Sequence, residues 1–459
     1  MQGSSRRENR GMKFTDGYWS VKKEMTPLYA VEYADSRRKG DELTIYAPAK
    51  NIAHRGDSLN LGMLTIRLSS PMEDVIKVSV VHFEGTAYKG PFAEINQTSP
   101  HISIEETEDF ITYQSGHTKA VVDKRPNSWG IRFLDGDREM TNTGFRNMAN
   151  ILNNETGRKY TVDALAIDVD EYIYGLGERF TPFVKNGQVV DMWNEDGGTA
   201  SEISYKNIPF YITNKGYGIL LDNEGDASYE IASEKVERIQ FSVEGERLDY
   251  YVINGHTPKG TIQKYAELTG KPALPPAWSF GLWLTTSFTT NYDEETTSSF
   301  IQGMADRDIP LHVFHFDCFW MEGFESCNFV WDPKTFPDPE GMLKRYHQRG
   351  LKICVWINPY IAQETKTFRE AAAGGYLLKR ADGHGIWQTD NWQNGMGVVD
   401  FTNPKACKWY QGKLRSLLEM GVDCFKTDFG ERIPIDVVYQ DGSEPVSMHN
   451  YYAFLYNRC

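Results

Sequence analysis

Four nearly continuous apolar segments constrain the fold of this chain more than any other feature. The segments SFGLWLT, LHVFHFDCF, LKICVWINP and VDCFKTDFG occupy residues 279–285, 311–319, 351–359 and 422–430. Strands that are buried on both faces have this pattern, and they occur in parallel sheets that helices cover on both sides. The pattern therefore predicts an α/β architecture, either a doubly wound sheet or a (β/α)8 barrel.

Helix-boundary signals lie between these segments. Asp338 and Pro339 begin one predicted helix and Gly350 ends it, and the same signals recur over residues 403–421. A fourth helix is predicted to begin near Ser447. About four β/α units result, and four units do not close an eight-stranded barrel. If the architecture is a barrel, we expect about four of its eight units in this sequence.

The part of the chain before residue 270 has a different pattern. Segments of period two, such as MLTIRLSS, VIKVSVVHFEG and LDYYVINGH, recur between turn signals, which is typical of an antiparallel β-sandwich. Three prolines in TGKPALPPAWSFG, residues 269–281, interrupt the pattern. We therefore predict a disordered extension over 1–11, a sandwich over 12–270, and the first half of a truncated barrel over 271–459.

Charge and composition exclude several partners. The net charge of −14 argues against nucleic acid and anionic membrane, since both require a basic surface. No apolar run reaches the length of a membrane span, and the N-terminus lacks the apolar stretch of a secretory signal. The six cysteines contain no CxxC pair, so we expect reduced thiols in a cytoplasmic protein.

Three of the apolar segments end in polar or aromatic side chains that lie on one face of the predicted strand. Asp317 ends the second segment, Trp356 and Asn358 end the third, and Lys426 and Asp428 end the fourth. Active sites of barrels and open α/β sheets lie at the carboxyl edge of the strands. An ion pair that only stabilises the end of the sheet is the alternative for Lys426 and Asp428. The recurrence of such groups at three strand ends favours a functional site.

The motifs of several common site types are absent from the sequence. There is no HExxH, no clustered Cys/His spacing and no GxSxG. The segment YGLGERF, residues 174–180, lacks the lysine of a phosphate loop and does not begin a helix. The sequence therefore predicts carboxylate chemistry that uses no metal and no cofactor.

Several of these segments resemble motifs of glycoside hydrolase family 31, and within it the α-xylosidases. The resemblance extends from Met12 over nearly the whole chain. It is carried in order by YGLGERF, WNEDGG, KNIPFY, WSFGLWLTTSFTTNYDE, FHFDCFWM, VWINPY and KTDFGERIP. The resemblance implies a β-sandwich ahead of a (β/α)8 barrel, a retaining mechanism and an α-xyloside as the carbohydrate partner. A homo-oligomer is possible for a complete protein of this kind.

The resemblance also implies the roles of individual residues. Asp428 would be the nucleophile that attacks the anomeric carbon and forms a covalent glycosyl-enzyme. Lys426 would hold sugar hydroxyls and keep the Asp428 carboxylate charged, and Asp317 would bind further hydroxyls.

Aromatic residues would surround the same sugar-binding pocket. The resemblance implies that Trp356, Phe288 and Phe429 form its walls. Asp196 would come from a sandwich loop.

The residues that follow Asp317 predict the sugar. Family α-glucosidases have an Ile-Asp pair where this chain has Cys318 and Phe319. A bulky Phe319 would crowd the hydroxymethyl group of a hexose, whereas xylose lacks that group. We therefore expect α-xylosidase activity, with an α-glucosidase of the same family as an alternative.

The proton donor is where the sequence departs from the resemblance. A retaining glycosidase needs a second carboxyl group about 5–5.5 Å from the nucleophile. Only Asp436, Asp441 and Glu444 follow the KTDFGE motif, and none of them matches the family acid. We therefore expect the general acid/base to be missing from this sequence, which leaves an inactive sugar-binding protein as a further alternative.

Overall fold

The computed structural model describes residues 12–16, 20–86, 88–197, 201–286, 289–323 and 327–459. The chain divides into two compact units, one that ends at Pro272 and one over Ala273–Cys459. Residues 1–11, the predicted disordered extension, lie outside the described residues.

The first unit is built almost entirely of strands, because β-branched and aromatic residues alternate with polar residues between turns. In chain order its elements are β1 (Thr15–Asp16), β2 (Ser20–Val21), β3 (Met25–Tyr29), β4 (Asp35–Lys39), β5 (Glu42–Pro48), β6 (Met63–Met72), β7 (Val75–Val81), β8 (Ile102–Glu106), β9 (Phe110–Ser115), β10 (Thr118–Asp123), β11 (Ile131–Asp135), β12 (Arg138–Thr143), β13 (Ala149–Asn153), β14 (Lys159–Ala166), β15 (Ile173–Gly175), β16 (Gln188–Met192), β17 (Phe210–Thr213), β18 (Tyr217–Leu221), β19 (Ala227–Ile231), β20 (Arg238–Glu244), β21 (Arg247–Asn254) and the helix α1 (Pro258–Thr269).

These strands form three large antiparallel sheets and the small pair β1–β2. The orders are β15-β17-β18-β21-β7-β6-β5-β4, β16-β19-β20-β14-β13-β3 and β12-β11-β10-β9-β8. One continuous core joins the three sheets, and Ile66, Tyr113 and Phe241, one from each sheet, are fully buried in it. Burying each such side chain contributes about 1.5–3 kcal/mol relative to exposure. The prediction that antiparallel sheets pack face to face in this unit is thus confirmed.

The second unit alternates strands and helices. Its elements are β22 (Trp283–Thr285), α2 (Glu294–Ala305), β23 (Val313–Phe316), α3 (Pro339–Gln348), β24 (Lys352–Ile357), β25 (Tyr360–Ile361), α4 (Lys366–Gly374), β26 (Lys379–Arg380), β27 (Gln388–Thr389), β28 (Met396–Val398), α5 (Pro404–Met420), β29 (Cys424–Thr427), β30 (Val437–Val438) and α6 (Pro445–Arg458).

The four predicted apolar segments form one parallel sheet of order β22-β23-β24-β29. Phe314 and Val355, in β23 and β24, are fully buried because helices cover this sheet. Each strand is shorter than its predicted segment, so that Asp317, Asn358 and Asp428 lie in the loops just after the strands rather than within them. Two small antiparallel sheets, β25-β28-β27 and β26-β30, accompany the parallel one.

The predicted helix boundaries agree with the structure. The Asp338 side chain accepts a hydrogen bond from the Gly341 backbone at the start of α3, and Asn403 caps α5 in the same way. An inward stripe of Leu414, Leu417 and Leu418 was also predicted for α5. Leu417 is buried, but Leu418 is 46% exposed, because it lies beyond the edge of the buried face.

The prediction of six reduced thiols is wrong for one pair. Cys407, in the first turn of α5, and Cys459, which follows α6, form a disulfide. Their Cα atoms lie 5.8 Å apart, within the range that a disulfide spans. The sequence did not predict this pairing because the two residues are 52 positions apart and meet only when the two helices pack. A cytoplasmic location and a homo-oligomer remain predictions.

Among the described residues, no helix combines the length and apolar character that crossing a membrane requires.

Candidate functional site

The register of the parallel sheet places the candidate site. Thr285 of β22 pairs with His315 of β23, which pairs with Cys354 of β24. Two residues nearer the carboxyl edge, Trp356 of β24 pairs with Lys426 of β29. Because all four strands are parallel, the residues that follow them meet at one edge of the sheet.

The Asp428 carboxylate has donors on both of its oxygens. Trp356 Nε1 donates to Oδ2 at 2.6 Å, and the Phe429 backbone nitrogen donates to Oδ1 at 3.1 Å. Lys426 Nζ lies 3.4 Å from Oδ2. The Asp428 side chain is 37% exposed and that of Lys426 is 47% exposed. The carboxylate is therefore held in a defined orientation and is still accessible to a ligand.

The backbone around Asp428 is also constrained. The Asp428 nitrogen donates to the Ile357 carbonyl at 2.9 Å, which ties the end of β29 to the end of β24. Phe429 then adopts φ of +65°, in the left-handed region that bulky residues rarely enter. Such strained positions cluster at functional sites. The strand thus ends abruptly, and the chain turns immediately after the carboxylate.

An aromatic cluster lies beside this carboxylate. The ring of Phe429 is 4.9 Å from that of Trp392, 5.6 Å from that of Tyr360 and 6.3 Å from that of Trp356. The Arg432 guanidinium lies 5.3 Å above the Phe429 ring. Two members of this cluster, Trp356 and Phe429, were predicted from the sequence. Trp392 was missed because the segment before β28 shows neither strand nor helix periodicity.

Asp317 begins the 3₁₀ turn Cys318–Trp320. Its carboxylate accepts from the Cys318 nitrogen at 2.9 Å, and its own nitrogen donates to Thr286 Oγ1 at 2.9 Å. Tyr292 donates its hydroxyl hydrogen to the Asp317 carbonyl at 2.7 Å. These bonds fix the loop at the end of β23, so that Asp317 is placed at the same sheet edge as Asp428.

The two residues after Asp317 differ in accessibility. Cys318 is 5% exposed, and burial raises the pKa of its thiol to about 12. Phe319 is 43% exposed. Cys318 is therefore an inert packing residue at neutral pH, whereas the Phe319 ring is available for contact.

His315 lies in the same sheet below this edge, and sequence reasoning did not select it. Its Nδ1 lies 2.5 Å from Thr285 Oγ1, and its Nε2 is buried with no hydrogen-bond partner among the described residues. Burial lowers the pKa of His315 to about 4, and the Lys426 ammonium acts in the same direction. His315 is therefore neutral at physiological pH. The signal was its alternation with Asp317 in FHFDCF.

The carboxylates that follow the KTDFGE motif serve local structure. Trp387 Nε1 donates to Asp436 Oδ1 at 3.0 Å. Asp441 accepts from the backbone and hydroxyl of Ser443, and Glu444 accepts from the Ser447 nitrogen at the start of α6. Glu444 is therefore a helix cap, and each of the three carboxylates has a partner outside the candidate site.

Of three further predicted contributors, the described part of the second unit contains only Asn358. Phe288 lies outside the described residues. Asp196 belongs to the first unit, where it is exposed in the loop after β16. Asn358 is fully buried, and its side chain accepts from the Tyr360 nitrogen, so that it stabilises the turn rather than facing a ligand.

Two family models match this chain. Residues 272–459 match the glycosyl hydrolases family 31 TIM-barrel domain. Residues 65–230 match the glycosyl hydrolase 31 N-terminal galactose mutarotase-like domain.

Two curated relatives match almost the whole chain. The alpha-xylosidase XylQ of Lactiplantibacillus pentosus is 54% identical over 97% of this chain and 58% of its own length. An alpha-xylosidase of Emericella nidulans is 45% identical over 97% of this chain and 60% of its own length. The chain thus spans about three fifths of the length of these relatives.

Solved structures share the fold. A GH31 dextranase of Flavobacterium johnsoniae, complexed with glucose, is 24% identical and superposes with a TM-score of 0.81 over 94% of this chain and 52% of its own. A GH31 alpha-xylosidase from a soil metagenome, complexed with xylose, is 18% identical. It superposes with a TM-score of 0.75 over 93% of this chain and 62% of its own. These two similarities indicate the sandwich-like and TIM-barrel folds.

Proposed function

Because the chain belongs to glycoside hydrolase family 31, we propose that it carries the nucleophile and part of the sugar-binding pocket of a retaining α-xylosidase. The observation that carries this proposal is the environment of Asp428. This carboxylate lies at the carboxyl edge of the parallel sheet, accessible, with an indole donor, a backbone donor and an ammonium group around it. Two relatives at 54% and 45% identity are named α-xylosidases.

In the first chemical step, an oxygen of Asp428 forms a bond to C1 of the xylosyl group. The bond between C1 and the leaving oxygen breaks, and that oxygen takes a proton from an acid. Donors on the Asp428 oxygens orient the carboxylate toward C1. In the second step water attacks C1, loses a proton to the same acid group in its basic form, and releases Asp428.

We do not assign the proton donor to a residue of this sequence. Asp436, Asp441 and Glu444 are engaged in local hydrogen bonds. Glu444 in particular caps α6, and moving its carboxylate would uncap that helix. Residues of this sequence would therefore carry out glycosyl transfer to Asp428, and protonation of the leaving group would be a separate function.

We assign selection of xylose over glucose to Phe319 and to its neighbour Cys318. The Phe319 ring is exposed and would crowd the hydroxymethyl group of a hexose, whereas the Cys318 thiol is buried. Discrimination by one such group amounts to about 1–3 kcal/mol. Lys426 and Asp317 provide an ammonium and a carboxylate for sugar hydroxyls. Asp196 and Phe288 remain predicted contributors.

The test separates the nucleophile from the acid. α-Xylosyl fluoride carries a leaving group that needs little protonation, so the 459-residue chain should hydrolyse it faster than aryl or natural α-xylosides and faster than α-glucosyl fluoride. A mechanism-based 5-fluoro-xylosyl fluoride should label the peptide that contains Asp428. A label on another residue would contradict the mechanism. Binding of xylose without turnover of the fluoride would favour an inactive sugar-binding protein, and a preference for the glucosyl donor would favour an α-glucosidase.

A further inference from the structure

Two histidines and two aspartates converge at one end of the first unit, and the proposed glycosidase chemistry does not use them. Asp74 lies in the turn between β6 and β7, and His117 lies in the turn between β9 and β10. Asp135 ends β11, and His256 follows β21. We call these four residues the turn cluster.

Three ligand atoms of the turn cluster face one another. His117 Nδ1 lies 3.8 Å from Asp74 Oδ1, and His256 Nε2 lies 3.8 Å from Asp74 Oδ2. All three residues offer ligand atoms within 4.8 Å of one another. Two ligands bound at 2.0–2.1 Å to a tetrahedral zinc ion lie about 3.3 Å apart. The two 3.8 Å separations exceed this distance by about half an ångström. A separation at the 4.8 Å limit exceeds it by about 1.5 Å, so the exposed histidine rings must move inward to close on an ion.

Asp135 orients one of the two imidazoles. Its Oδ1 accepts from His256 Nδ1 at 2.9 Å, so that the Nε2 lone pair of His256 points toward Asp74. A carboxylate on the outer nitrogen of a histidine is the usual support of a metal ligand, because it fixes the tautomer and the ring orientation. Arg138 holds the other oxygen of Asp135 at 3.1 Å.

The backbone places Asp74 before any ion binds. The Asp74 carbonyl accepts from the Asn254 nitrogen at 2.9 Å, and its Oδ1 accepts from the His117 nitrogen at 2.6 Å. A side chain at Gly116 would meet Asp74 Oδ1 at 2.6 Å, so that only glycine leaves room for the carboxylate there. The carboxylate is 13% exposed, whereas His117 is 75% exposed, so the side toward solvent is open.

We propose that Asp74, His117 and His256 bind a divalent cation of the zinc type, with Asp135 as the positioning residue of His256. Two imidazole nitrogens and one carboxylate suit zinc and its neighbours in the first transition row, whereas calcium and magnesium prefer oxygen ligands alone. Water completes the coordination on the exposed side.

The position of this site gives it a structural role. Asp74 and His256 lie next to the ends of strands in the eight-stranded sheet. His117 lies in the turn that connects two strands of the five-stranded sheet. An ion bound to all three clips the two sheets together at their ends. Because a cation that binds only the folded state shifts the unfolding equilibrium, zinc raises the melting temperature of the protein.

The experiment uses the untagged 459-residue chain after removal of metals with EDTA and of the chelator by dialysis. Titration with ZnCl₂ in a calorimeter should show one site per chain, and Co²⁺ should give the visible absorption of a tetrahedral complex. His117→Gln and His256→Gln should each lower zinc affinity at least about tenfold and abolish the rise in melting temperature, and Asp135→Asn should lower affinity about tenfold.

His101→Gln is the matched control, since His101 is an exposed histidine of the same unit outside the turn cluster. Its affinity for zinc should equal that of the wild type. The absence of a stoichiometric zinc site in the wild type would overturn the proposal, a result that needs no variant to fold. Zinc binding that His117→Gln and His256→Gln leave unchanged, or calcium binding tighter than zinc, would overturn it as well.

Discussion

Asp163 in the first unit and Asp428 in the second each have three close partners, yet their surroundings differ completely. Asp163 is fully buried in β14 and accepts from Thr143, Tyr250 and the Ala164 nitrogen. Asp428 lies at a sheet edge, is 37% exposed and has a lysine beside it. Hydrogen bonds alone therefore do not distinguish the proposed nucleophile from a buried structural carboxylate, whereas access, a nearby cation and the end of a parallel strand do.

The protonation behaviour of Asp163 follows from its burial. Burial raises the pKa of Asp163 to about 6, and the hydrogen bonds from Thr143 and Tyr250 only partly oppose this. Below that pH Asp163 is a neutral acid in a core, and above it the folded protein carries a buried charge. The buried aspartate thus costs stability at neutral pH, and its hydrogen bonds limit that cost.

The largest expected effect comes from Asp428→Asn. Loss of the proposed nucleophile should lower kcat for α-xylosyl fluoride about a thousandfold or more. Asp163→Asn, the equivalent change in the other unit, should leave kcat within about a factor of two, because its hydrogen-bond partners all belong to the first unit. Stopped assays of fluoride release measure both variants. Equal losses in the two variants would remove the contrast between them.

The next effect is on stability and concerns Asp163→Asn. Since the folded pKa lies above the unfolded value of 3.8, Asp163 stabilises the fold below pH 4, and this contribution is lost as pH rises through 6. The loss is on the order of 3 kcal/mol.

Urea unfolding between pH 4 and 7 measures this loss. The decline should be present in the wild type and in Asp137→Asn, a change at a fully exposed aspartate. It should disappear in Asp163→Asn, since the amide does not ionise. A decline of equal slope in all three proteins would place its origin elsewhere.

A smaller effect is expected for Trp356→Phe, which removes the indole donor of Asp428 but keeps an aromatic ring. We expect kcat to fall about tenfold to a hundredfold, as when one donor of a preorganised site is lost. Trp387→Phe removes an equivalent bond to Asp436 and is the matched control. The same loss in Trp387→Phe would mean that the effect comes from packing.

The smallest effect concerns the choice of sugar. Phe319→Ala should shift the ratio of kcat/KM for xylosyl over glucosyl fluoride toward glucose by about tenfold. Phe454→Ala truncates a phenylalanine of similar exposure in α6 and should not change the ratio. An unchanged ratio in Phe319→Ala would assign sugar selection to other residues.

The sequence predicted those features of the second unit that follow from chain periodicity. Apolar runs identified the four parallel strands, and alternation placed Asp317 and Lys426 at one edge. These predictions succeed because the path of a strand fixes which side chains share its face. His315 shares that face but was not predicted as a site residue, because a histidine inside an apolar segment is usually interpreted as a buried core residue.

Features that depend on contacts between distant segments were not predictable. Trp392 reaches Phe429 from a segment without periodicity, and Cys407 meets Cys459 across two helices. The turn cluster joins residues from two turns, the end of one strand and the loop after another, and none of its members lies at a spacing typical of metal ligands. Turn conformation and sheet packing, rather than local pattern, bring such residues together.

The left-handed backbone of Phe429 links the orientation of the Asp428 carboxylate to the aromatic cluster beside it. The same residue donates its amide hydrogen to Asp428 and presents its ring to Trp392 and Tyr360. We therefore expect a ligand that displaces the ring also to reorient the Asp428 carboxylate, through one peptide unit. Engineering a wider pocket at position 429 would thus alter reactivity together with fit, so libraries aimed at new sugars should vary Trp392 and leave this peptide intact.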